Sequence, residues 1–330
     1  NHLFHGMTAS TPSESDLWRP NRAVSKRTEF IVKVIFGAFA MVSVATTVGI
    51  VLTLIFEAIE FFKVVPLWRF LTETRWTPLF SSAQFGIMVL ISATVMVSFI
   101  AIVVALPLGL LSAIFLSEYA SPKVRSVLKP VLELLAGVPS VVFGYFALLF
   151  VSPLLRTATP AWIQGIIPSW DQFIPGLQGF NALSAGIVLG ISITPLVASL
   201  SEDALFAVPR SLRDGAYALG STKRETIIAV VLPAALSGIV SALILAISRA
   251  IGETMIVTLA AGQNPRLGFN PFVPVMAMTA FIVQVSLGDT PAGSIAYQTI
   301  FAVGMTLFLI TLALNIFSFW FVRRFREKYE

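Results

Sequence analysis

The stretch GIMVLISATVMVSFIAIVVALPLGLLSAIFL, Gly86–Leu116, decides what kind of molecule this is. It runs for thirty-one residues without one Asp, Glu, Lys or Arg. About 20 such residues are enough for a helix to cross the hydrocarbon core of a bilayer. Outward from it lie five more apolar stretches of that kind, at about Phe30–Phe56, Val131–Ser152, Leu183–Leu200, Ala234–Ala261 and Thr299–Val322. A shorter run, Pro271–Val285, carries Pro271 and Pro274 and is read as a re-entrant or interfacial segment. Composition agrees with this reading. Of 330 residues, 56% are apolar and 12% charged, roughly half the charged share of an ordinary soluble domain. The expected fold class is all-α, a polytopic membrane bundle of six transmembrane helices. A secreted or cytosolic globular enzyme is excluded.

The basic residues orient the bundle. Of 22 Lys and Arg, sixteen fall before the first span, between the second and third, between the fourth and fifth, or after the sixth. Five, Lys63, Arg69, Arg75, Arg156 and Arg266, fall in the alternate loops, and Arg249 sits inside a span. Basic loops stay on the cytoplasmic side, so both termini are expected there. The net charge of +5 therefore belongs to membrane orientation, and no nucleic-acid partner is expected. The expected organisation is a cytoplasmic N-terminal tail over residues 1–29 and a transmembrane domain over 30–322. A cytoplasmic loop at 201–233 falls within that domain, and a short tail follows over 323–330. The polar N-terminal residues show no cleavable signal pattern. The loop Pro153–Asn181, with Trp162 and Trp170, is expected to lie against the outer membrane surface.

Several chemistries are absent. There is no Cys, and the two His residues, His2 and His5, stand at the start of the chain. Disulfides, thiolate zinc and histidine metal sites in the body of the protein are excluded. No Gly-x-x-x-x-Gly-Lys-Ser/Thr, Gly-x-Ser-x-Gly or His-Glu-x-x-His occurs. No catalytic residue, metal or cofactor is expected, and energy from ATP would have to enter through another polypeptide.

The loop 201–233 has clear local signals. Ser211-Leu-Arg-Asp214 has the form of an N-cap with an acidic first turn. Gly220 suits the position that stops a helix. Thr222-Lys-Arg-Glu225 is a capping box, and Pro233 follows where the fifth span begins. The loop reads as helix, glycine break, helix, proline. Its first helix is about two turns, too short to stand alone, and must pack on its own bundle or on another protein.

The fifth span carries Ser248-Arg249-Ala-Ile-Gly-Glu253-Thr254. Arg249 and Glu253 are four apart and so are expected to share one helix face. An ionised group near mid-bilayer costs about 2.5–3.5 kcal/mol by insertion scales, so such groups face a cavity or a partner. A guanidinium also matches the oxygen geometry of an oxyanion. The pair is either part of a translocation pathway, flanked by Ser248 and Thr254, or a structural ion pair. Weaker candidates are Glu133 beside Lys129, an interfacial pair, and Ser192 and Thr194, which line a pathway or bond their own backbone. Pro107, Pro139 and Pro195 are expected to kink their helices.

Asp214-Gly215-Ala216, three residues, Gly220, nine residues, Val230, one residue, Leu232-Pro233 resembles the EAA loop of ABC-importer permeases. Asp stands for Glu, Gly for the first Ala, and Val for Ile. The phrases Arg249-Ala-Ile-Gly-Glu253-Thr-Met, Leu135-Ala-Gly-Val-Pro-Ser-Val-Val-Phe-Gly-Tyr145 and Leu200-Ser-Glu-Asp-Ala-Leu205 are similar to the phosphate-specific ABC permeases. With Met255 and the later Ala-Ala-Gly-Gln-Asn run, the PstC-type half is the better fit. The resemblance covers about Gly86 to the end; the N-terminal tail departs from it. It implies a type I ABC importer permease fold in the bacterial cytoplasmic membrane, carrying inorganic phosphate. Arg213, Asp214, Gly215, Ala216, Tyr217, Gly220, Leu232 and Pro233 would form the coupling element for a separate ATPase. Arg249, Glu253, Thr254 and Ser248 would line the pathway. The implied partners are a second, PstA-like permease, two PstB-like ATPase subunits and an external PstS-like phosphate-binding protein. A sulfate or molybdate importer, a self-contained ion-coupled anion carrier and a membrane scaffold are the rival readings. No internal inverted repeat, which a self-contained carrier would favour, is seen.

Overall fold

The computed structural model of the chain describes residues 22–157 and 179–325. The reading of the Pro153–Asn181 loop, with both its Trp residues, and of most of the N-terminal tail therefore lies largely outside the described residues. Two units are distinguished, residues 1–53 and 54–330. In chain order the helices are α1 (Arg22–Val64), α2 (Leu67–Thr72), α3 (Met88–Ile114), α4 (Pro122–Ala136), α5 (Ser140–Phe146), α6 (Ser152–Thr157), α7 (Ala182–Phe206), α8 (Arg210–Ala218), α9 (Lys223–Thr226), α10 (Leu232–Ile251), α11 (Met255–Ala260), α12 (Met278–Leu287) and α13 (Ile295–Phe325). Three single π-helical turns, Phe115–Tyr119, Ala147–Val151 and Ile227–Val231, continue α3, α5 and α9. Among the described residues there is no strand, only an isolated bridge between Trp76 and Phe85.

Five helices are long and apolar enough to cross a membrane, at Lys26–Val64, Met88–Tyr119, Ala182–Phe206, Lys223–Ile251 and Ile295–Phe321. A sixth span exists if Pro122–Ala136 and Ser140–Leu155 are taken together, and these are bent 84° to each other. In the first unit the residues from Lys26 to Ile50 are helical and all exposed. A helix apolar on all sides is suited to a lipid or protein environment.

The second unit is organised on α7, which packs along α3. Small residues let the two helices approach closely. A Cβ at Gly190 would lie 2.6 Å from the Ala101 carbonyl oxygen, and one at Gly186 would lie 2.7 Å from the Ile100 side chain. This seam, with Ala185, Leu189, Ile193 and Val197 facing Val97 and Ala101, is the centre of the larger apolar core. Asn181 starts α7 by accepting the Ser184 N–H at 2.7 Å, while its own amide donates to Ser152 at 2.7 Å. A second core holds the rings of Phe61, Phe70, Trp76, Phe85 and Phe281. A third, formed by Ala113, Leu205, Val208, Val231, Ala235 and Ile239, lies where α3, α7 and α10 meet the loop 201–233.

Three sequence expectations are corrected here. The span expected at Val131–Ser152 is broken: α4 stops at Ala136, and α5 starts after Pro139. Pro139, with its fixed φ and no N–H, cannot continue α4, and Gly137 is its right-handed C-cap. Pro107 and Pro195 lie inside unbroken helices. The span expected at Ala234–Ala261 ends at Ile251, with Gly252 as its cap and α11 starting anew at Met255. Finally, α8 is capped by Pro209 and not by Ser211, which lies inside the helix. Pro209 has the extended ψ of a residue just before a helix, and its ring disfavours helix in the residue that precedes it.

Candidate functional site

The loop between α7 and α10 is built from local signals that the structure preserves. Gly220 has φ +85°, a left-handed conformation that costs residues with a Cβ about 1–2 kcal/mol. The Gly220 N–H donates to Tyr217 O at 2.9 Å and the Ser221 N–H to Ala216 O at 3.1 Å, the paired bonds that close a helix end. The chain then turns directly into α9, whose capping box is complete. Glu225 N–H donates to the Thr222 hydroxyl at 3.4 Å, and Thr222 N–H donates to the Glu225 carboxylate at 2.8 Å.

The loop residues divide by face. Asp214, Gly215, Tyr217 and Gly220 are exposed, whereas Ala216 is buried and Arg213 is turned inward. Arg213 donates to Val208 O at 2.6 Å and Leu205 O at 2.8 Å, and it pairs with Glu118 at 3.0 Å. Leu232 is half-buried and Pro233 exposed at the start of α10. Sequence reasoning passed over Leu219, which is 88% exposed at the tip of the loop. Its signal was available, since an apolar residue directly before the stop glycine of a short surface helix has no core to enter.

Beside this loop lies an ionic cluster that joins α4 to α7. Glu202 is fully buried. It pairs with Arg125 and, at 2.7 Å, with Lys129; Lys129 also reaches Asp203 at 2.5 Å. The Arg125 guanidinium sits 3.9 Å from the Phe206 ring centre. Arg125 and Lys129 are one helical turn apart and so share a face of α4. The expected pairing of Lys129 with Glu133 is replaced, because the acidic end of α7 lies against that face and the buried carboxylate has the greater need of a cation. Glu133 lines a cavity of about 630 Å³ together with Arg125, Lys129, Phe206 and Arg210.

The charged pair inside the fifth span is not a same-face pair. Because α10 ends at Ile251, Glu253 lies beyond the helix that carries Arg249. The Glu253 carboxylate accepts the Met255 and Ile256 N–H groups at 3.2 and 3.4 Å, and its carbonyl accepts the Thr279 hydroxyl at 2.8 Å. It thus caps α11 and ties the break to α12. Arg249 is exposed and has no ion-pair partner among the described residues. Ser248 donates to Asn315 at 3.4 Å and Thr254 to Gly252 O at 3.3 Å. Ser192 and Thr194 donate to their own helix, at Leu189 O and Gly190 O. Among the described residues no group of three His, Cys, Asp or Glu is placed to hold a metal.

A multi-pass helical bundle with a two-helix loop set on the ends of its central spans is the architecture of a membrane permease. The chain belongs to the family of binding-protein-dependent transport system inner membrane components, whose profile matches residues 105–328. It is a permease subunit of an ABC importer. It is 33% identical over 281 residues to the probable ABC transporter permease protein YqgH of Bacillus subtilis, covering 84% of this chain and 86% of that one. It is 35% identical over 252 residues to the phosphate transport system permease protein PstC of Mesorhizobium japonicum, covering 74% and 75%. Among solved structures it is similar in fold to a chain of a bacterial ABC transporter involved in the import of the acidic polysaccharide alginate. The TM-score is 0.51 at 17% identity, over 91% of this chain and 100% of that one.

Proposed function

We propose that this chain is the PstC-like half of the membrane part of an ATP-driven importer of inorganic phosphate. It works in the bacterial cytoplasmic membrane, with both termini in the cytoplasm. Its partners are a PstA-like second permease, two PstB-like ATPase subunits and a PstS-like external phosphate-binding protein. Relatives named for phosphate transport at 32–35% identity, over about three quarters of the chain, support the substrate. Within the molecule the reading is carried by Arg249, an exposed guanidinium at the end of an apolar helix, with no carboxylate within ion-pair reach among the described residues.

An unpaired guanidinium presents five donors to a tetrahedral oxyanion and loses little by releasing it to water if the site is hydrated. Phosphate would meet Arg249 in a path shared with the second permease, with Ser248 and Thr254 offering neutral hydroxyls. On ATP binding, closure of the ATPase pair would displace α8 through its exposed face, at Asp214, Gly215, Tyr217 and Gly220. The spans above would then change the side from which Arg249 is reached.

The test is phosphate uptake by the complete transporter in proteoliposomes. Arg249→Ala is expected to abolish uptake while the complex still assembles, with Arg249→Lys retaining part. Undiminished uptake in Arg249→Ala would defeat the pathway assignment. Competition by excess sulfate or molybdate equal to that by phosphate would move the substrate to another oxyanion. Replacing Gly220 with Val is expected to release the ATPase subunits; a complex and uptake left intact would defeat the assignment of Gly220 to the coupling element.

A further inference from the structure

Arg213 stands in the loop expected to meet an ATPase, yet its side chain is only 15% exposed. Its guanidinium is turned onto the ends of α7 and α3 and is held there by three hydrogen bonds. Its Nη1 donates to Val208 O, and its Nη2 donates to Leu205 O and Glu118 Oε1. Leu205 belongs to the last turn of α7 and Val208 lies just beyond it, where carbonyls have no partner within the helix and carry its negative dipole end. Glu118 is 7% exposed and belongs to the π-helical turn Phe115–Tyr119 at the end of α3. One guanidinium therefore joins α8, the end of α7 and the end of α3.

The surroundings favour a joint over a mere filler. A second π-helical turn, Ile227–Val231, packs on α8 and leads into α10. Such turns occur often at functional sites. Directly beneath, Leu205, Val208 and Val231 belong to one small apolar core. Any displacement of α8 must be carried by these contacts. Arg213 supplies the polar ones, with a rigid planar fork that a Lys ammonium cannot reproduce.

We infer that Arg213 is a positioning residue that transmits movement of α8 to α3 and α7 by way of Glu118 and the end of α7, and that it makes no direct contact with the ATPase. This rests on the reading of α8 as the coupling helix.

The experiment uses the whole transporter, with both permeases, the ATPase pair and the binding protein, reconstituted in liposomes. ATPase retention, ATP hydrolysis and phosphate transported per ATP are measured for Arg213→Lys, Arg213→Ala and Glu118→Gln. Retained ATPase and continued hydrolysis are expected, with transport per ATP lowered about 2- to 30-fold for Arg213→Lys and Arg213→Ala. Glu118→Gln keeps an acceptor oxygen and is expected to be the mildest. If Arg213→Ala does not accumulate in the membrane, Arg213→Lys and Glu118→Gln carry the comparison. Unchanged transport per ATP in Arg213→Lys would overturn the inference. So would loss of the ATPase from an otherwise stable Arg213→Lys permease pair, since that would make Arg213 a docking contact. Leu219→Asp, on the exposed face, separates the two claims. If it leaves ATPase retention and transport untouched, the coupling-helix reading itself fails.

Discussion

Lys129 donates a 2.7 Å hydrogen bond to Glu202 although seventy-three residues separate them in the chain. Glu202 is fully buried, and Arg125 approaches its other oxygen. The two cations lie on α4, the first arm of the pair bent by 84°, so their pairing with α7 ties that arm to the bundle. A buried carboxylate left without its cation costs more than the pair contributes.

The members of this cluster are therefore unequal. Glu202→Ala leaves Arg125 without its carboxylate and Lys129 with Asp203 alone, and should destabilise by about 3 kcal/mol, at the lower limit for breaking a buried pair because both cations keep some contact with water. Lys129→Met should cost less, since Arg125 still neutralises Glu202. Asp203 is more than half exposed, and Asp203→Asn should cost under about 1 kcal/mol, as exposed bridges do. Thermal melting of the detergent-purified chain reads the order; equal losses at Glu202 and Asp203 would contradict it.

Two glycines five positions apart in the coupling loop, Gly215 and Gly220, should respond with opposite sign. Gly215 lies inside α8 with open space around an added Cβ. Gly215→Ala should stabilise by about 0.5–1 kcal/mol by restricting the unfolded chain. Gly220 also has open space, but its φ is +85°. Gly220→Ala should cost about 1–2 kcal/mol from backbone strain alone. A melt in which both changes shift the midpoint the same way would refute the backbone argument.

Gly190 tests the central seam. A methyl group there meets the Ala101 carbonyl oxygen at 2.6 Å and the Val104 side chain at 2.7 Å, so α3 and α7 must separate. Gly190→Ala should lose about 1–3 kcal/mol and lower the yield of folded permease, measured by size-exclusion profile in detergent. The seam is dense enough that Gly190→Ser should behave no better.

What was legible in the sequence was what is written locally. The apolar runs located four of the six expected spans, and Gly220 and the Thr222–Glu225 box located the loop turn to the residue, because each signal and its partner lie within four positions. The break after Ile251 was not legible. Arg249-Ala-Ile-Gly-Glu253 contains no proline, and the apolar run continues beyond it, so periodicity alone extends the helix. What ends it is tertiary: Thr279 on α12 takes the Glu253 carbonyl, and the Glu253 carboxylate turns forward onto α11. The cluster of Arg125, Lys129 and Glu202 was invisible for the same reason, since only the packing of α4 on α7 brings it together.

Glu253 offers the sharpest division between structure and transport. As a cap for α11 it needs an acceptor oxygen and no charge, because its bonds come from the Met255 and Ile256 N–H groups. Glu253→Gln keeps that oxygen and should leave both the melting point and phosphate uptake near those of the parent. Glu253→Ala removes it, exposes two backbone donors at a helix start and should cost about 1 kcal/mol, the usual loss for a missing cap. Its transport should fall through a lower maximal rate, with the apparent affinity for phosphate little changed, because Arg249 stays on intact α10. A role in tuning the charge of the pathway gives a different pattern. Glu253→Gln would then be as impaired as Glu253→Ala, with the change in apparent affinity and not in stability. Uptake kinetics and melting curves on these two variants decide between a carboxylate that holds a broken helix in place and one that faces the transported anion.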